Sequence, residues 1–147
     1  MASLSRMRNC RVPDALNSAG ARAKYSIVRL RFPMKILNRA AIIVIPKQPF
    51  VDWINFADAE GDELTLEEVR EDATIYLVPE TDGPEHISRV LHDFCRSIFE
   101  EQLASWIPDD TLWPIDRSFD VFCRWFAVSS HGTVIDLSPE PLVIEDL

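Results

Sequence analysis

Ala40-Ala41-Ile42-Ile43-Val44-Ile45, closed by Pro46, is the longest uninterrupted apolar run in the chain. It is rich in β-branched side chains and does not alternate with polar ones, which predicts a strand covered on both faces and therefore central in a sheet. Pro46 has no N–H to give to a ladder and stops the strand. The run is far short of the roughly 20 apolar residues that cross a bilayer, so no membrane span is expected.

Downstream of this strand the periodicity changes from strand to helix. Lys47-Gln48-Pro49 opens a helix, with Pro49 suited to its first turn. Phe50, Trp53, Ile54 and Ala57 follow at i, i+3, i+4 and i+7, one buried helical face. An acidic loop from Asp58 to Glu63 surrounds Gly61, and Thr65-Leu66-Glu67-Glu68 has the capping-box pattern of a short helix start. Ala73 to Val78 predicts a second strand, ended by Pro79.

Asp82-Gly83-Pro84 is a turn into the longest helix, about Glu85 to Trp106, with a stripe of Ile87, Val90, Leu91, Phe94, Ile98 and Gln102. Gln102 is the one polar lapse in that stripe. Arg89–Asp93 and Arg96–Glu100 are spaced for ion pairs on the opposite face. After a loop carrying Trp113, Asp116 or Ser118 caps a final helix with Phe119, Phe122, Cys123 and Phe126 inward. Val128 to Leu137 completes the order as a last strand, bent at Gly132.

Strands separated by helical crossovers predict an α/β (or α+β) layered domain of about three strands. Truncation of Ile43 or Phe94 to Ala is therefore expected to cost about 2–5 kcal/mol, and His92→Ala little.

Charge divides the chain near Met34. Residues 1–33 carry seven basic side chains against the single acid Asp14, a net of +6, which leaves −15 for residues 34–147 within the total of −9. The leading segment is Arg- and Ser-rich, with Pro13 and Gly20 interrupting any helical period. It reads as a disordered leader, a transit peptide or a reading frame set too early, and is expected to add nothing to folding. Residues 34–141 are expected to form the one globular domain, followed by an acidic tail at 142–147.

A domain at −15 repels phosphate backbones, so no nucleic-acid binding is expected of it, and long-range steering favours a partner with a basic surface. Three cysteines, one of them Cys10 in the leader, make no disulfide framework and point to a reducing, cytoplasmic setting. Only four glycines occur, none closely spaced, which excludes a phosphate-cradling glycine loop.

Three groups of residues carry a resemblance: Pro46-Lys47-Gln48-Pro49-Phe50-Val51-Asp52-Trp53; Leu66-Glu67-Glu68-Val69-Arg70 with Tyr76-Leu77-Val78-Pro79-Glu80; and Leu112-Trp113-Pro114 with Ser118-Phe119 and Trp125-Phe126. Together, over about residues 36–141, they resemble a group of small acidic bacterial proteins of unassigned function. Members of that group typically begin near the equivalent of Met34. The resemblance implies a class, and no activity, cofactor or catalytic residue.

Candidate sites follow from residue types and spacing. His92 and Cys95 lie three apart on the long helix, a metal-ligand spacing that Cys123 and His131 would have to complete. On the helical wheel Cys95 borders the apolar stripe and His92 the polar face, so a core cysteine beside a surface histidine is the stronger reading, and no metal or other cofactor is expected. Cys123 with His131 is a nucleophile–base pairing set against Cys123 lying in a phenylalanine stripe. The acids from Asp58 to Asp72 lack calcium-loop register, and Asp62, Glu63 and Glu67 among them are expected to form a docking face. Trp113, in a loop with no periodic reason to be buried, is the expected anchor of that interface.

Two functions of different kinds emerge. The first is a non-enzymatic protein-interaction or regulatory module using Trp113 and the acidic face, with a homodimer compatible. The second is a small hydrolase or transferase built on Asp109, Asp110, Asp116 and Arg117 with His131.

Overall fold

The computed structural model describes residues 34–71 and 73–146. The expectations for the leader, including Cys10, and for Asp72 lie outside the described residues. In chain order the elements are β1 (Lys35–Ile36), β2 (Arg39–Pro46), α1 (Gln48–Ala57), α2 (Leu66–Arg70), β3 (Ile75–Pro79), α3 (Pro84–Trp106), a 3-10 turn (Asp110–Leu112), α4 (Phe119–Trp125), β4 (Phe126–His131) and β5 (Ile135–Asp136).

The fold is mixed α/β, with a three-stranded sheet in the order β3-β2-β4 and β2 at its centre, as the apolar run predicts. Both pairings are antiparallel, Ile42 facing Tyr76 on one side and Ser130 on the other. A two-residue ladder of β1 with β5, Lys35 opposite Asp136, continues the line of β2 and β4.

An antiparallel sheet can leave one face open, and the exposures here correct the expectation that β2 is buried on both faces. Ala40, Ile42 and Val44 are fully buried against the helices, whereas Ile43 and Ile45 on the opposite face are half-buried. Cross-strand neighbours share a face, so Ile43 and Ala41 stand beside Ile75 and Leu77, which are 61% and 52% exposed. One face of the sheet is a core wall, and the other is an open apolar surface.

Above the wall the helices meet in an aromatic cluster. Phe50 lies 4.8 Å from Phe126 by ring centroids, Phe99 5.4 Å from Phe126 and 5.3 Å from Trp125, and Phe122 5.2 Å from Phe126. Local signals start the helices where the sequence places them. Thr65 and Glu68 form the reciprocal capping box of α2. Gly83, at φ +105° and ψ 178°, occupies backbone space essentially reserved for glycine and turns the chain into Pro84 and α3.

Two local readings change. The long-helix stripe runs through Cys95, Phe99 and Leu103, and Phe94 is 44% exposed rather than core. The last strand is two, because α4 ends at Trp125, β4 starts at Phe126, and the chain breaks across Gly132 before β5. Arg96 pairs with Glu100 at 3.0 Å, but Asp93 is met by His92, at 3.9 Å, and not by Arg89.

Candidate functional site

Among the described residues strand β3 pairs with β2 on one side only, and α3 passes along its other side. The Val44 N–H donates to the Thr74 carbonyl at 3.3 Å. That bond sets the antiparallel alternation: Tyr76 and Val78 turn their backbone groups toward β2, and Ile75 and Leu77 turn theirs outward. The result is a strand edge that no described residue pairs with, facing a helix, with a groove between them.

The groove has two ends. One is an apolar cavity of about 180 Å³ lined by Tyr76, Leu77, Val78, Phe94, Ser97 and Ile98. The other is a polar cavity of about 260 Å³ lined by Glu68, Val69, Thr74, Gln102, Ser105 and Trp106. A hydrogen-bond network separates them. The Tyr76 hydroxyl donates to the Glu101 carboxylate, and the buried Gln102 amide donates to Tyr76 Oη at 2.7 Å and to Thr74 Oγ1 at 3.0 Å. The polar lapse at Gln102 is thus a designed break in the stripe, because its amide ties α3 to β3.

Burial pushes the Tyr76 phenol above the ordinary tyrosine range, and its hydrogen bond to Glu101 raises it further. The fold therefore favours the neutral phenol. This contribution to stability is complete below the unfolded value of about 10 and is lost as pH rises from there toward the raised folded value. The urea midpoint should fall as pH is raised above about 10, and Tyr76→Phe should flatten that slope. An identical slope in both proteins would assign the loss to other groups.

Trp113 is not the exposed loop anchor the sequence suggests. Its indole N–H donates to the Ile107 carbonyl at 2.8 Å, the ring packs half-buried on the core, and the Arg117 guanidinium sits 6.0 Å over it. The Trp53 indole in turn donates to the Leu112 carbonyl at 3.1 Å. The loop is pinned to the domain by two tryptophans.

The acid–base candidates do not converge. Asp109 accepts from Thr111 N–H and hydroxyl, and Asp116 accepts from the Ser118 N–H. Those hydrogen bonds hold both carboxyls below their usual value, the behaviour of turn caps rather than general acids. The Asp110 carbonyl closes the 3-10 turn on Trp113, and its side chain is exposed. Arg117 bonds Glu100 at 3.1 Å and the Pro114 carbonyl at 2.7 Å. His131 stands apart on the open sheet face, where its Nε2 is 2.9 Å from Ser129 Oγ. No hydrogen bond or ion pair joins His131 to any of these carboxylates among the described residues, so nothing orients that Ser–His pair for nucleophilic chemistry.

Cys123 is buried among the phenylalanines, away from that pair. Cys95 is buried as well and donates to the His92 carbonyl, while the His92 side chain is 65% exposed. Among the described residues no cluster of three or more metal-ligating side chains is present. Asp62, Glu63 and Glu67 are exposed around the start of α2. No described helix is long and apolar enough to cross a membrane.

No family model, curated protein or solved structure matches the chain.

Proposed function

We propose that the protein is a non-enzymatic, cytoplasmic interaction module that takes up an extended segment of a partner along β3. One observation carries this reading: the outward-facing backbone of Ile75 and Leu77 lies beside an apolar groove whose far wall is α3. Strand addition to such an edge draws affinity from main-chain hydrogen bonds and selectivity from side-chain pockets. The cavity beside Phe94 selects an aliphatic side chain, and the exposed Asp62, Glu63 and Glu67 attract basic residues on a partner approaching from the polar end. The hydrolase or transferase alternative has no support of this kind, since its carboxylates serve as turn caps and His131 is bonded to Ser129.

The test is a set of extended aliphatic peptides titrated into labelled protein. The Ile75 and Leu77 amides should shift together with the Phe94 side chain, and Phe94→Ser should weaken binding at least tenfold while leaving the fold intact. Peptides that shift only the Trp113 loop, or none that shift the β3 edge, would remove the groove from the interaction.

A further inference from the structure

Among the described residues a second apolar feature besides the groove has no partner. Beyond β5 it runs on without regular structure, and Leu142, Val143 and Ile144 are 62%, 79% and 89% exposed. Preceded by Pro139 and Pro141, which favour extended backbone, this triplet has strand-forming side chains and, among the described residues, no surface that it covers.

We propose that residues 141–146 of one copy lie along β3 of a second copy, and that the second copy reciprocates, so that two chains exchange C-terminal strands. The proposal rests on reading the groove as a strand-accepting surface and names its occupant.

Strand geometry makes the fit two-sided. In an added strand Leu142 and Ile144 point to one face and Val143 to the other. One set enters the cavity beside Phe94, and the other extends the open face beside Ile75 and Leu77. Both destinations are apolar: the set beside Phe94 is enclosed, and the set on the open face is covered on the side that meets Ile75 and Leu77.

Lateral contact shields roughly half of what Ile75, Leu77, Phe94, Leu142, Val143 and Ile144 expose, about 50 Å² each. Two-fold reciprocity brings these side chains to about 600 Å², to which the two paired backbones add, and this places the contact at the small, reversible end of interface sizes.

The triplet does not reach β3 of its own copy. Lys35 Nζ ties it down by donating to the Ser138 carbonyl at 3.0 Å and the Glu140 carbonyl at 3.4 Å. From the anchored Glu140, Ile144 lies at most about 14 Å along the chain. The nearest end of the edge is Pro79, opposite Arg39, which follows Lys35 by four residues. The path is about 13 Å along the strands and about 10 Å across them. Leu142, Val143 and Ile144 therefore fall short of Leu77 and Ile75 in the same copy.

Both partners are acidic while the contact is apolar, so salt should strengthen the pair by screening repulsion between copies, opposite to its effect on a basic partner.

Sedimentation of the full chain over a concentration series tests this. A reversible dimer is expected, with Kd falling several-fold as salt rises to about 0.5 M. The exposed tail double variant Val143→Asp, Ile144→Asp should be monomeric at an unchanged melting temperature. A synthetic peptide of residues 138–147 should bind that monomer and shift the Ile75 and Leu77 amides. Mixing it with a Phe94→Ser chain, whose tail is intact, should give a one-way heterodimer.

A full chain that stays monomeric at millimolar concentration, or a dimer that survives the tail variant, overturns the exchange. So does a monomer whose Ile75 and Leu77 amides are protected until residues 1–33 are removed, since the chain's own leader then fills the groove. If the 138–147 peptide leaves the edge amides unmoved while other aliphatic peptides shift them, the exchange falls and the groove reading stands. If no peptide shifts them, both fall.

Discussion

Phe99→Ala should lower the stability of the domain by about 3–5 kcal/mol. Phe99 is fully buried, and its ring meets Phe122 at 6.1 Å, Trp125 at 5.3 Å and Phe126 at 5.4 Å, so it joins the long helix to both elements that close the core. Truncation removes the transfer free energy of a phenyl group and leaves a cavity walled by rigid rings that cannot collapse into it. Phe94 is on the same helix but 44% exposed, so Phe94→Ala should cost only about 1 kcal/mol. Urea unfolding at constant m-value measures both. Equal losses would mean that α3 presents a different face from the one described.

Ile42→Ala should cost about 2–5 kcal/mol, and Ile43→Ala clearly less, despite their adjacency in one apolar run. Ile42 is fully buried under the helices, and Ile43 lies half-buried on the open face beside the exposed Ile75. Removing Ile42 empties part of a closed core. Removing Ile43 trims a surface that water already reaches, so little cavity term is added. Thermal midpoints should separate the two variants by several degrees. A reversed order would put the helices on the other face of the sheet.

The contrast between these neighbours marks where local pattern stops being informative. A continuous apolar run announces a central strand, and β2 is one. It does not announce whether both faces are covered, because half-covered and fully covered strands both favour β-branched residues. The same ambiguity misplaced Phe94. Phe94 and Phe99 both sit near the apolar arc of α3, and the sheet edge decides which of them falls outside the helix–helix contact.

The groove was legible only as a hint. Gln102 interrupts an otherwise apolar stripe, which signals a buried polar partner, but the sequence does not say that the partners are Thr74 and Tyr76, 28 and 26 residues away. Trp113 shows the converse. Its neighbours carry no period that would bury it, yet the Ile107 carbonyl left over at the end of α3 captures its indole N–H.

Everything that short-range chemistry controls could be read along the chain: the Thr65–Glu68 capping box, the glycine turn into α3, the prolines that end β2 and β3, and the helix–strand succession. These depend on residues within a few positions of one another, whose backbone preferences and capping bonds act before any tertiary contact forms. The antiparallel order β3-β2-β4, the exposed face beside Ile75, the outer edge of β3 against α3, the pinned Trp113 and the exposed Leu142–Ile144 came only from assembly. Each of them depends on which surfaces remain once the helices have chosen one side of the sheet. That choice is made by the summed packing of residues distant in sequence, which no local period records.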